Sequence, residues 1–232
     1  MTTQVKYKLG EREANGLCRV IALVAFSDVA VGDVGGYVKA EQNLAHTGDA
    51  WVYGNAWVFG DARVSGDAQV FGDAQVYGDA RVYGNARVYG DARVSGNARV
   101  SGDAWVHGNA WVFGDARVSG DAQVFGNARV SGDAWVSGNA RVSGNAWVSE
   151  DAQVSGDAWV SVVCLEIPKV ITGLLYTLTI TDEHLRAGCQ VHTFHDWRTK
   201  TEREVLAMDG KAALVFYKET LIPLMDALKL GV

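Results

Sequence analysis

A six-residue phrase repeats without a gap from Thr47 to Ser161. Each copy consists of Val, a variable residue, Gly, Asp or Asn, Ala and a second variable residue, and residues 47–160 hold nineteen copies that end in Val. Ala and Val never vary, and Gly is replaced only at Glu150. So regular a short period indicates a repeat architecture rather than an irregular globular core.

A period of six excludes a helix, whose apolar residues recur every three or four positions. Each Val is flanked by two variable residues, as in Trp51-Val52-Tyr53, so strand alternation places Val on one side and both neighbours on the other. Gly with Asn or Asp then forms a corner, because these residues tolerate positive φ. The small Ala that follows fits where a side chain must point inward. The repeat therefore predicts short strands joined by regular turns.

Three such strands close a triangular coil of eighteen residues, with Val and Ala inside. Successive coils are expected to stack at about 4.8 Å, the interstrand spacing of a sheet. A Val followed four positions later by Ala, as in Val58-Phe59-Gly60-Asp61-Ala62-Arg63, resembles the hexapeptide-repeat superfamily. That resemblance implies an all-β left-handed parallel β-helix of about six to seven triangular coils.

The sequence divides into three parts around the repeat. Residues 1–45 are predicted to form an N-terminal β cap with an irregular first coil, residues 46–161 the β-helix, and residues 162–232 an α/β segment for capping or oligomerisation. Asn15-Gly16 favours a hairpin turn within the cap. The run from Arg19 to Val38 resembles the entry segment of acyltransferase-like hexapeptide proteins from enteric bacteria and their phages.

The C-terminal segment carries more local signals. Asp182 can cap a short helical turn through Arg186, and Thr201 with Glu204 predicts a capping box at a helix start. Asp209-Gly210 separates that helix from a last one over about 211–228. The phrases Tyr-Thr-Leu-Thr-Ile-Thr-Asp and Met-Asp-Gly-Lys-Ala resemble C-terminal segments of small tailed-phage proteins, a likeness that implies no activity.

Composition narrows the range of partners. The 232 residues carry a net charge of −6, which argues against binding duplex nucleic acid through a basic surface. Cys18, Cys164 and Cys189 are odd in number and widely spaced, which favours a reducing compartment without disulfides. The start has no signal-peptide pattern, and Val20–Phe26 is too short to cross a bilayer. We therefore predict a cytoplasmic protein that binds no membrane, in the host cytoplasm if a phage encodes it.

Residues eighteen positions apart stack on one face, so the outer surface can be described as columns. Four arginines occupy one column in consecutive coils: Arg63, Arg81, Arg99 and Arg117. The other two faces carry many aromatic residues, among them Trp51, Tyr53, Trp57, Phe59, Tyr89, Trp105, His107 and Trp111. Large aromatic patches on a protein surface usually mark an interface. Two aromatic faces and one charged face predict a homotrimer, which the superfamily resemblance also implies. The C-terminal helix is an element that could join two trimers into a dimer of trimers.

Arginine and aromatic residues together favour a small anionic ligand. Guanidinium groups match phosphate oxygens, and aromatic rings stack on bases. In a trimer, Arg87 with Tyr89, or Arg93 beside Trp111, would line a subunit groove suited to a nucleotide-sized anion. The arginine column is either an anion site itself or a solvated face. The predicted ligand-binding residues are Arg87, Tyr89, Arg93, Trp105, His107, Trp111, Arg63, Arg81, Arg99 and Arg117.

An enzymatic interpretation depends on histidine. The superfamily resemblance implies acyltransferases that use acetyl-CoA and a histidine base, although the repeat here lacks the loop excursion that often accompanies that base. His107, the only histidine in the repeat, is either this base or one more interface aromatic. His192 and His195 flank Phe194 and are weak catalytic candidates. Neither Cys nor carboxylate completes a familiar metal-binding spacing with them, so we predict no metal site.

Three functions follow from these observations. The first is a non-enzymatic phage-type binding protein without a cofactor, for example a sponge that sequesters a nucleotide immune signal of the host. The second is an acyltransferase that uses acetyl-CoA. The third is a structural scaffold or virion-associated spacer that uses only the rigid prism. Binding of an intact small anion would separate the first from the other two.

Overall fold

A computed structural model describes residues 5–161, 169–171 and 173–231. The chain folds as two compact units, Met1–Ile167 and Pro168–Val232. The first unit is a parallel β-solenoid of about seven turns, built from strands of two residues that each end at a Val of the repeat. No helix among the described residues is both long and apolar enough to span a bilayer.

The solenoid strands form three faces. The nine-stranded face contains Tyr7–Arg12, Cys18–Ala22, Val34–Val38, Trp57–Val58, Gln75–Val76, Arg93–Val94, Trp111–Val112, Arg129–Val130 and Trp147–Val148. The seven-stranded face contains Trp51–Val52, Gln69–Val70, Arg87–Val88, Trp105–Val106, Gln123–Val124, Arg141–Val142 and Trp159–Val160. The six-stranded face contains Arg63–Val64, Arg81–Val82, Arg99–Val100, Arg117–Val118, Trp135–Val136 and Gln153–Val154.

The strand register confirms the predicted coil of eighteen residues. Arg63 pairs with Arg81 and Val64 with Val82 in a parallel ladder. The Arg63 amide donates to the carbonyl of Ala80 at 2.9 Å, and the same offset of seventeen residues recurs along the repeat. Every Val and Ala of the repeat is at most 1% exposed, so these two residues alone fill the interior. Burial of this continuous apolar column is the main stabilising contribution to the solenoid.

Glycine at the corner is required for two reasons. Gly102 has φ of 68°, a left-handed conformation that costs other residues about 1–2 kcal/mol. A Cβ at Gly102 would also lie 2.9 Å from the backbone nitrogen of Gly120 in the next coil. Glu150 keeps the positive φ, at 58°. It lies in the last described coil, where a Cβ at the neighbouring corners Gly144 and Gly156 would meet no atom nearer than 3.7 Å. We infer that the conformational cost is the main one at Glu150.

The N-terminal strands close one end of the solenoid. Tyr7–Arg12 and Cys18–Ala22 form the predicted antiparallel hairpin, with Gly16 at φ of 79° in the turn. Val34–Val38 then pairs in parallel with Trp57–Val58 and begins the irregular first coil. The expectation that Trp51 faces a partner subunit is wrong. This indole is 1% exposed because Tyr7 and Phe26 pack edge-on against it within the same chain.

Side chains of this cap supply hydrogen-bond donors to the first coil, which has no complete preceding coil to provide them. The buried Lys6 ammonium donates to the carbonyl of Ala50 at 2.8 Å. Asn43 Nδ2 donates to the carbonyl of Ala62, also at 2.8 Å. The Tyr7 hydroxyl lies within 2.9 Å of two further carbonyl groups. Buried backbone carbonyls therefore find partners at this end, as stability requires.

The second unit combines an antiparallel sheet with helices. Its strands are Lys169–Ile171, Leu178–Ile180, His184–Ala187 and Gln190–Thr193. Its helices are α1 (Phe194–Thr199), α2 (Glu202–Phe216), a π-helical turn (Tyr217–Leu221) and α3 (Ile222–Ala227). The buried core of this unit lies between sheet and helices and contains Leu178, Leu185, Phe194, Trp197, Phe216, Leu221 and Met225.

Local predictions for this unit succeed at the helix ends and fail at one strand of the sheet. Thr201 and Glu204 form the predicted capping box at the start of α2. Asp209 and Gly210 break α2, with Gly210 at φ of 62° and ψ of −150°. The predicted helical turn from Asp182 to Arg186 is wrong, because most of it forms strand His184–Ala187, which pairs with neighbours on both sides.

Two corner positions, Glu150 and Gly102, allow a matched pair of predictions. We expect Glu150→Gly to raise the free energy of unfolding by about 0.5–1 kcal/mol, since it relieves the left-handed backbone without creating a clash. Gly102→Glu, in the interior of the stack, should lower it by roughly 2 kcal/mol or more, because the conformational cost and the clash add. Urea denaturation measures both. Destabilisation by Glu150→Gly would contradict this account of the corner.

Candidate functional site

The arginine column lies in register on the six-stranded face. Arg63 pairs with Arg81, Arg81 with Arg99, and Arg99 with Arg117. All four side chains are exposed, at the coil spacing of about 4.8 Å. Within the described residues, no carboxylate forms an ion pair with any of them. The column is therefore a line of four positive charges with no ion-paired carboxylate in the described part of its unit.

This arrangement is confined to one face. On the seven-stranded face the same slot carries Trp, Gln and Arg in strict rotation, so that no two arginines are neighbours. On the nine-stranded face, Arg93 lies between Gln75 and Trp111, and Arg129 lies between two tryptophans. Arginines therefore stack directly on one another only on the six-stranded face of the described solenoid.

A surface depression follows the column. Arg63, Ser65, Arg81, Tyr83 and Arg99 line about 330 Å³ of space. The lining offers guanidinium and hydroxyl donors together with a phenol ring that is 40% exposed. An anion in the depression would contact several arginines at once, because consecutive side chains point to the same side of the sheet.

An exposed tryptophan extends the same face. Trp135 pairs in register with Arg117 and is 44% exposed. Its indole nitrogen donates to Ser119 Oγ at 3.1 Å, which fixes the ring. Tyr83 and Trp135 were not among the predicted ligand-binding residues. Tyr83 lies eighteen residues after Ser65 and Trp135 eighteen residues after Arg117, and this spacing was the signal that could have found them.

The seven-stranded face carries a ladder of aromatic rings. Phe71 and Tyr89 stack at 4.7 Å between ring centroids, Tyr89 and His107 at 4.7 Å, and His107 and Phe125 at 5.2 Å. The His107 ring is within 6° of parallel to both neighbours. Burial lowers the pKa of His107 below its ordinary value of 6.5. The ring therefore acts here as a neutral aromatic in the ladder, and no side chain among the described residues hydrogen-bonds to it.

The ten predicted ligand-binding residues fall on all three faces. Arg87 lies over the Trp105 ring at 5.5 Å, and Trp105 packs edge-on against Tyr89 at 6.3 Å, so these residues and His107 form one cluster on the seven-stranded face. Arg93 and Trp111 are in register on the nine-stranded face. The remaining four residues are the arginine column.

Tryptophans of the later coils are held by a diagonal contact that the sequence analysis missed. Each indole nitrogen donates to a serine hydroxyl sixteen residues earlier: Trp111 to Ser95, Trp135 to Ser119, Trp147 to Ser131 and Trp159 to Ser143. Three of these serines are only 5% exposed because the indole covers them. The signal was present as a Ser–Trp spacing of sixteen, which crosses columns rather than following one.

The other chemically interesting residues are scattered. His192 packs edge-on against Trp197 at 4.9 Å in the second unit, where burial chiefly lowers its pKa. His195 is exposed on α1. No group of three or more potential metal ligands occurs in the described part of the chain. Cys18 is buried and Cys189 exposed, both as free thiols, while Cys164 lies outside the described residues.

Segments of the solenoid match a known family of repeat proteins. Residues 74–90, 80–94, 92–108, 122–138 and 134–150 match a family model described as YdcK beta solenoid repeat. Together with the parallel strand register, this match decides the class. This chain is a repeat β-helix protein. The matched segments cover less than half of the chain and lie within the repeat. No curated protein matches this chain significantly.

The aromatic ladder predicts a pH dependence of stability. Because burial lowers the pKa of His107 in the folded state, the unfolded chain binds a proton more readily as the pH falls through 6.5. His107 therefore lowers the free energy of unfolding at acidic pH and has little effect above pH 7. We expect His107→Phe to lose less stability than the wild type between pH 7.5 and pH 5.5 in urea denaturation. Identical losses of stability in His107→Phe and the wild type would contradict the prediction. The control is His195→Gln, which replaces an exposed histidine outside the ladder.

Proposed function

We propose that this repeat β-helix is a non-enzymatic binding protein for a small anionic ligand, held by the arginine column of the six-stranded face. The observation that carries the proposal is the absence of carboxylate partners for Arg63, Arg81, Arg99 and Arg117 among the described residues. Guanidinium groups bind phosphate oxygens with paired donors, and several of them converge on one depression.

A nucleotide-sized ligand fits this chemistry better than a simple ion. Tyr83 and Trp135 present exposed rings at either side of Arg99 and Arg117, and such rings stack on nucleobases. The net charge of −6 and the restriction of the column to one face disfavour long duplex nucleic acid. A short or cyclic nucleotide would use both the charged and the aromatic part of the face.

Oligomerisation is the second part of the proposal. The nine-stranded and seven-stranded faces carry exposed tryptophans, Trp147 at 44% and Trp105 at 36%. Pairing of these two faces around a threefold axis would bury both and leave the six-stranded face outside. The Arg87–Trp105 cluster would then lie beside a groove between subunits, where it forms a second place for an anion. A dimer of trimers is the larger assembly consistent with this arrangement.

The biological setting of the proposal is based on the resemblance of two segments to phage proteins. The entry segment and the C-terminal tail resemble parts of phage proteins, and this supports a role as a sponge that sequesters a nucleotide immune signal in the host cytoplasm. The alternatives are an acyltransferase using acetyl-CoA, with His107 or His192 as base, and a scaffold or virion spacer. His107 lies in the aromatic ladder and His192 in the other unit, so neither has an observation that favours catalysis.

Binding can be tested by calorimetry with ADP, a cyclic dinucleotide, pyrophosphate and acetyl-CoA. We expect a nucleotide to bind and Arg81→Gln to weaken it about 10-fold or more, because a charge-assisted hydrogen bond contributes about 1.5–3 kcal/mol. Arg129→Gln is the matched control, since it removes the same residue type from the same repeat slot on another face. The affinity should also fall as salt is raised.

The form in which the ligand is recovered separates the functions. Mass spectrometry after denaturation should return the nucleotide unchanged, as expected for sequestration. Conversion of the ligand, or acetyl transfer from acetyl-CoA that depends on His107, would instead establish an enzyme. Equal loss of affinity in Arg81→Gln and Arg129→Gln would refute the assignment to the arginine column, and no binding of any anion would favour the scaffold.

The trimer has its own test. Trp147 and Trp135 are each 44% exposed and each donates to a serine sixteen residues earlier, but they lie on different faces. We expect Trp147→Glu to shift the mass in light scattering from trimer toward monomer, since it places a charge in the proposed interface. Trp135→Glu, on the outer face, should leave the mass unchanged. A wild-type monomer at micromolar concentration would refute the trimer.

A further inference from the structure

The C-terminal unit contains a cavity of about 240 Å³ that the proposed function does not use. Its inner wall is apolar and largely aromatic, formed by residues of α1, α2 and the π-helical turn: Trp197, Val205, Met208, Phe216, Tyr217 and Leu221. A space of this size and lining suits a small organic molecule rather than an ion or a single water.

Two irregularities of the helical segment shape this cavity. The break at Asp209 and Gly210 separates the two halves of α2, and residues of both halves line the cavity. The π-helical turn places Tyr217 and Leu221 on the same wall. Single π-helical turns inside helices occur frequently at functional sites. Both departures from regular helix thus serve one cavity.

The polar side-chain atoms of Trp197 and Tyr217 are bonded elsewhere in the unit. The Trp197 indole nitrogen donates to the carbonyl of Leu185 at 2.6 Å. The Tyr217 hydroxyl donates to the carbonyl of Trp197, also at 2.6 Å. These side chains are therefore fixed and offer apolar ring surface to the cavity, which favours an aromatic or aliphatic ligand body.

The mouth of the cavity carries a negative charge. The Tyr176 hydroxyl donates to Asp209 Oδ2 at 2.6 Å, and the Tyr176 ring packs edge-on against Phe216. Gly188 makes room for this ring, since a Cβ there would lie 3.1 Å from Tyr176 Cδ1. Among the described residues no cation pairs with Asp209. A fixed carboxylate therefore lies at the edge of an apolar space without a counter-ion.

We propose that this cavity is a binding site for a small molecule with an apolar, ring-sized body and a protonated amine. The body occupies the aromatic wall, and the ammonium group pairs with Asp209 at the mouth. A carboxylate ligand of the same size would place like charges together and bind more weakly. The site lies within one unit and is independent of the anion site on the solenoid.

Calorimetry on the full chain with two matched probes tests the proposal. 2-Phenylethylamine and 3-phenylpropionate have similar bodies and opposite charges. We expect the amine to bind at least 10-fold more tightly than the carboxylate. Asp209→Asn should reduce the affinity for the amine at least 10-fold and remove the preference, because it deletes the charge but keeps the apolar wall.

Substitutions that fill the cavity provide a second test of the proposal. Ala213 lies buried on the wall, so Ala213→Leu should abolish binding of the amine. Val215→Leu is the matched control, because Val215 is 53% exposed on the same helix and should leave binding unchanged. If circular dichroism shows that Ala213→Leu is unfolded, Ala187→Leu fills the same space from the sheet. Failure of the amine to bind, or undiminished binding in the filled and Asp209→Asn variants, would overturn the proposal.

Discussion

Backbone hydrogen bonds between successive coils set the geometry of the whole solenoid. Alternate amides along the repeat donate to carbonyls seventeen residues later, for example that of Arg99 to Ala116 at 2.9 Å. Because this offset is constant, residues eighteen positions apart pair in register and stack in one column. A residue type therefore fills a column only where it recurs every eighteen positions. It also brings successive corners so close that only glycine fits between them, as at Gly102. The interior, the corners and the surface columns all follow from this one ladder.

The sequence was sufficient to predict the features that follow from the six-residue period. Val and Ala inside, glycine at the corners and the arginine column outside all follow from counting. Contacts that cross the columns were missed. The Trp147–Ser131 bond depends on the indole rotamer, and the burial of Trp51 depends on how the N-terminal hairpin folds over it. Periodicity gives the position of a Cβ but not the direction of a long side chain or its contacts with a segment outside the repeat.

The C-terminal unit shows the same division between local and non-local determinants. The capping box at Thr201 and the break at Gly210 were predictable, because each is set by residues within four positions. Strand His184–Ala187 was not, since its pairing with Leu178–Ile180 and Gln190–Thr193 overrides the capping signal of Asp182. The cavity was equally inaccessible to sequence reasoning: its wall combines residues from Tyr176 to Leu221 that only tertiary packing brings together.

The arginine column favours a binding role because the repulsion between its charges destabilises the solenoid. Two like charges about 4.8 Å apart repel by about 1 kcal/mol even in water, and salt screens this only in part. Glutamine occupies the same slot at Gln75 and Gln123 without that repulsion, so a merely solvated face would not need arginine in consecutive coils. Arg87, by contrast, already lies over Trp105. An anion along the column would turn the repulsion into attraction, which is why we assign the proposed ligand to the six-stranded face first.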